Sequence, residues 1–115
     1  MRKFVGYSVL CAVSTLVSLD AAATNVWTGY KSVTAVQVIE NGGFLIYFDS
    51  AIGNPCSSAG NNALYVDVGQ NFVTADGAKG MLAAALSALA AGMRVSVMYD
   101  DSTSFCYGRY VTVSQ

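Results

Sequence analysis

Residues Val33–Ser50, VTAVQVIE-NGG-FLIYFDS, carry the reading that decides the fold. Two β-rich runs, Val33 to Glu40 and Phe44 to Ser50, flank Asn41-Gly42-Gly43. Asn-Gly between such runs is the preferred tight hairpin connection, because both residues tolerate positive φ. In the second run Phe44, Ile46 and Phe48 alternate with Leu45, Tyr47 and Asp49, so neither face is wholly polar. One face is expected to meet the core and the other a neighbour or partner.

Downstream, Ile52 to Asn62 reads as a loop rich in Gly, Ser and Asn that holds Cys56. Leu64, Val66 and Val68 alternate with Tyr65 and Asp67, the pattern of a half-buried strand. Asp76 then looks like a helix N-cap and Gly92 like the residue just past the C-terminus. Between them Lys79 to Ala91 consists mainly of Ala and Leu, strong helix formers, with Leu82, Leu86 and Leu89 on one face. Val95, Val97 and Tyr99 form a fourth strand, and Val111 and Val113 a fifth, beyond a turn carrying Asp100, Asp101 and Cys106. Three strands, a helix and two strands is the element order of the OB-fold, a five-stranded barrel with a helix between strands three and four. The expected class is therefore mainly β with one helix. A ferredoxin-like fold needs a second helix, and an immunoglobulin-like sandwich needs about seven strands.

Upstream, Arg2 and Lys3 precede an uncharged, mostly apolar run from Phe4 to Leu19, and Ala21-Ala22-Ala23 offers small residues for cleavage. This is the pattern of a secretory signal peptide, residues 1–23, with Cys11 removed alongside it. A cut after Ala23 places small side chains at both specificity positions, whereas a cut after Ala22 would place Asp20 at one of them. Residues 24–115 then form a single domain in a secreted or periplasmic protein, with no membrane span after cleavage. Within it four basic residues face six acidic ones, a net −2. That is no footprint for nucleic acid or an anionic membrane, both of which attract a clustered basic face.

Two cysteines remain, Cys56 and Cys106, and an even count in an exported chain reads as a disulfide. Closing so long a loop constrains the unfolded chain by about 4 kcal/mol on the entropic account.

The chain has no histidine, which removes the commonest general base, the usual nucleophilic triads and most zinc sites. CxxC spacing, a phosphate-cradling glycine loop and a dinucleotide fingerprint are all missing. Asp100-Asp101 with Ser102, Thr103 and Ser104 supplies hard oxygens suited to calcium, but lacks EF-hand spacing and reads first as a solvated turn. The expectation is a non-enzyme with no cofactor and no metal site. What remains for function is Trp27, Tyr30, Tyr47, Tyr65, Tyr107 and Tyr110 among short hydroxyl and amide side chains, a surface that suits a sugar or a peptide.

The helix is apolar nearly all round, with Ala84, Ala88 and Ala91 opposite the leucines. Either this side meets another subunit in a homo-oligomer, or the alanines are a helix-favouring surface.

Trp27-Thr28-Gly29, a serine ahead of a hydrophobic first strand and hairpin, and Met93-Arg94-Val95-Ser96-Val97 after an Ala-Leu helix resemble the subtilase cytotoxin B subunit family. That resemblance implies an exported OB-fold protein forming a ring of five subunits that binds cell-surface glycans. It also implies a sugar contact from the serine before the first strand, here Ser32; Tyr30 and Tyr65 are the aromatic candidates beside it. The expected function is thus an exported binding domain recognising a glycan or a protein partner in the manner of a toxin B subunit. The rival is a structural or assembly protein of the periplasm or cell surface acting through its helix.

Overall fold

A computed structural model describes residues 24–115; the expected signal peptide, residues 1–23, lies outside the described residues. In chain order the elements are β1 (Asn25–Trp27), β2 (Lys31–Val38), β3 (Phe44–Phe48), β4 (Ala63–Val66), α1 (Ala75–Ala91), β5 (Arg94–Asp100) and β6 (Gly108–Ser114). All strand pairings are antiparallel. β5 is the hub: β6 runs along one of its edges, while β1 and then β2 share the other. Since β1 and β2 succeed each other along one edge, the sheet is five strands wide, and it curls into a half-barrel. The expectation of a mainly β protein with one helix holds.

The helix position is a correction. α1 follows the fourth strand rather than the third, because the short β1 precedes the expected first strand. Three residues are too few to show alternation. Gly29 at φ +77° interrupts the edge between β1 and β2, and Thr28 bridges the gap. Its N–H donates to the Val97 carbonyl at 2.9 Å and its Oγ1 accepts from the Val97 N–H at 3.0 Å.

The hairpin also closes differently from the expected two-residue turn. Gly42 donates to the Ile39 carbonyl at 3.1 Å, and Ile39 donates to Gly43 O at 2.8 Å, leaving Glu40-Asn41-Gly42 as a three-residue loop. Only Gly42 takes positive φ, +95°. Asn41 contributes its side chain instead, Oδ1 accepting from the Gly43 N–H at 2.9 Å. Gly43 itself is fixed by a close approach, since a Cβ there would lie 2.7 Å from the Val66 carbonyl oxygen.

The core gathers Phe44, Ile46 and Phe48 of β3, Leu64 and Val66 of β4, and Val95 and Val97 of β5. Cys56 and Cys106 are fully buried within it and bonded to each other, as the even cysteine count anticipated, with Cα atoms 5.4 Å apart. The bridge ties the β3–β4 loop to the β5–β6 turn. Beside it Ser58 and Ser104 are hydrogen-bonded through their hydroxyls at 2.7 Å and through their backbones at 3.1 Å. A buried disulfide of this kind belongs to a protein that folds in an oxidising compartment.

α1 begins two residues earlier than expected. Its N-cap is Thr74 rather than Asp76: Thr74 Oγ1 accepts from the Gly77 N–H at 3.0 Å. Gly92 ends it in the left-handed conformation, as the sequence indicated. The helix face is a second correction. Ala78, Ala85 and Ala88 are the buried positions, whereas Leu86 and Leu89 are 44% and 38% exposed. Ala88 therefore packs against the sheet instead of pointing to another subunit, Ala84 is half-buried, and Ala91 is exposed. The physical reason is volume. Phe44 and Phe48 already fill the concave side, so only methyl-sized side chains let the helix backbone approach, while Met81 and Leu82 pack at the margin.

Candidate functional site

Where α1 spans the open side of the half-barrel, its N-terminal half, β6, the end of β1 and the segment leading into the helix enclose an open cleft of about 670 Å³. Each wall follows from local structure. β1 places Trp27 opposite Met98, and β6 places Tyr110 opposite the same residue, so both rings stand on one side of the sheet. They are 51% and 50% exposed. The segment after β4 places Phe72, 80% exposed, at the rim.

Phe72 is held at φ +67° next to Asn71 at φ +52°, a conformation that bulky side chains rarely adopt. The backbone is secured there by Asn71, whose Nδ2 donates to Asn25 Oδ1 at 2.8 Å and to the Tyr107 carbonyl at 3.0 Å. Gly69 and Val73 close the same loop with a backbone bond of 2.9 Å. Strained backbone that the surroundings over-determine is typical of ligand-contacting segments.

The cleft carries one charged side chain among its lining residues, Arg109. Its guanidinium lies 4.9 Å from the Phe72 ring centroid and 5.3 Å from that of Tyr110, cation–π contacts that orient it without neutralising it. The helix wall consists of Gly77, Gly80, Met81 and Ala84, at the spacing of one helical face. A Cβ on Gly80 would meet nothing within 4 Å, so the missing side chain is directly responsible for space in the cleft.

Of the aromatic surface read from the sequence, Trp27 and Tyr110 line this cleft, as does Ala84 from the helix. Tyr30, Ser32 and Tyr65 do not. Tyr30 is half exposed in the link between β1 and β2, and Ser32 is half-buried on β2 opposite Arg94. Tyr65 lies on β4, its ring 5.2 Å from Phe105 and 6.4 Å from Tyr107, themselves stacked at 5.5 Å. That cluster sits beside the disulfide turn. Burial, then the nearby Asp67 and Tyr65, pushes the Tyr107 phenol above its ordinary value. Tyr99 is raised likewise, by burial first and then by Asp101.

Phe72, Arg109, Gly77 and Gly80 are cleft residues that sequence reasoning passed over. The glycines left a signal, since each costs about 1 kcal/mol relative to alanine inside a helix otherwise built of strong formers. Phe72 and Arg109 left none. The Asp100 turn is locally satisfied, Asp100 Oδ1 accepting from the Ser102 N–H at 2.8 Å. Among the described residues no group of three or more metal-ligating side chains converges, and no helix is long and apolar enough to cross a membrane. No family model matches the chain, and neither a curated protein nor a solved structure matches it.

Proposed function

We propose that this chain is an exported, non-catalytic binding domain on an OB-fold-like barrel, and that its ligand sits in the cleft between α1 and β6. The observation that carries the reading is the cleft's composition: three largely exposed rings, one cation held by two of them, and no carboxylate among the lining residues. Such a lining offers apolar faces and hydrogen-bond donors, but no acid–base pair for chemistry. The barrel reading is supported by strand neighbours. β2 lies between β3 and β5, and the Tyr65 N–H donates to the Phe105 carbonyl at 3.3 Å, drawing β4 toward the β5–β6 turn. In the manner of a toxin B subunit, the partner is a glycan or a protein met outside the cytoplasm.

Trp27 is the one tryptophan, so its fluorescence reports cleft occupancy directly. Titration with oligosaccharides and with short peptides is expected to shift its emission, and Phe72→Ala or Tyr110→Ala to abolish the shift. An emission unchanged by every ligand that binds would remove the cleft from the reading.

A second reading, an assembly protein acting through its helix, is favoured by Leu86 and Leu89 on the exposed side of α1. Under it, sedimentation gives a ligand-free oligomer that Leu86→Glu dissociates.

A further inference from the structure

Resting on the cleft as the binding site, we infer that its occupant is an extended peptide segment bearing an acidic side chain, added as a strand to the free edge of β6. Among the described residues β6 pairs only with β5. No backbone group from Arg109 to Ser114 bonds to any other part of the described chain. An antiparallel strand directs alternate N–H and C=O groups to each side, so β6 presents a row of unpaired groups away from β5.

The lining residues show that this edge faces the cleft. Successive side chains of a strand stand on opposite faces of the sheet, yet Arg109, Tyr110, Val111 and Thr112 all border the same space. A cavity confined to one face would touch alternate residues; this one crosses from face to face along the edge. The pairing with β5 steps from Tyr110 to Gly108, so Arg109 is the extra residue of a bulge. That gives it a direction independent of its neighbours.

Opposite the edge runs the side-chain-poor helix face of Gly77 and Gly80, leaving room for the side chains of an added strand. An edge strand facing a helix across a groove is the geometry in which main-chain hydrogen bonds hold a peptide and pockets select its side chains. Arg109 supplies the selection. It is the charged side chain of the cleft, no carboxylate there answers it, and a guanidinium pairs with a carboxylate through two parallel hydrogen bonds. A sugar would use the rings but leave the backbone edge unanswered.

The probe is a library of fluorescein-labelled heptapeptides with alternating apolar positions and one acidic position, read by fluorescence polarisation against the protein. Binding is expected to favour peptides with Asp or Glu, and Arg109→Gln to remove that preference. Backbone N-methylation at alternate peptide positions should weaken binding about tenfold, and at the intervening positions hardly at all. Gly80→Leu fills the groove from an exposed helical site, so it should abolish binding while circular dichroism stays as in the wild type and the melting temperature does not fall. Peptides that bind Gly80→Leu equally well, or that ignore N-methylation, overturn strand addition. Oligosaccharides that shift Trp27 emission while no peptide binds overturn it too, yet leave the cleft as the binding site. If neither class acts on Trp27, both readings fall.

Discussion

The disulfide join and the cleft beside it make a useful contrast. At the disulfide join the strands are locked together. Cys56 and Cys106 join two loops, Ser58 and Ser104 are bonded twice, and Tyr65, Phe105 and Tyr107 cover the join. At the cleft the same sheet is left open, and a helix is laid across the gap on alanines and glycines. Covalent and hydrogen-bonded closure at the join stabilises a sheet whose cleft remains unfilled. A domain of this size has only a few kcal/mol of net stability to lose, so an open groove is affordable where the rest is stapled.

The sharpest way to break this contrast is on the helix. Ala88→Glu buries a charge against Phe-lined sheet and should cost more than about 5 kcal/mol, enough to unfold the domain. Leu86→Glu, on the exposed side, should remain folded. Circular dichroism of the pair checks this, and a folded Ala88→Glu would show that the helix face is not as described. Next in size is the staple. Replacing both cysteines by serine should cost about 4 kcal/mol, read as a lower denaturant midpoint in urea. An unchanged midpoint would mean that the join does not stabilise the domain that carries the cleft.

A smaller effect is alkaline. Tyr107 and Tyr99 keep their protons in the folded state above the ordinary value of 10.0. The folded protein thus binds more protons than the unfolded chain in that range. The stability this supplies is complete below that value and is lost as pH rises through the raised one. Urea midpoints should be level to about pH 9 and fall beyond about pH 10. Tyr107→Phe should lessen the fall. The smallest is Gly80→Ala, which touches nothing within 4 Å and should raise stability by about 1 kcal/mol at the helix propensity difference. A decrease would mean that the glycine is needed for packing rather than for space.

Much of the fold was legible because it is written in local patterns. The β3 alternation, the glycine after α1 and the cysteine pair each depend on near neighbours or on a simple count. β1 was not legible, since three residues carry no period and acquire strand geometry only from the edge of β5. The orientation of α1 was misleading for a related reason. Leucines at helical spacing ordinarily mark the buried face, but here the phenylalanines of β3 had already taken the volume. The cleft was the least legible part. Arg109 and Phe72 are far apart in sequence, and their contact arises from a bulge in β6 and a left-handed loop before α1.

By itself, then, the sequence determined a mainly β domain with one helix, the disulfide partners and the helix end. These follow from backbone preferences and side-chain periodicities that act over a few residues. Tertiary structure decided which face of α1 is buried, that β1 and β2 share an edge of β5, and where the open cleft lies. Those depend on how volumes and strand edges from distant segments meet, and no local preference encodes that sum.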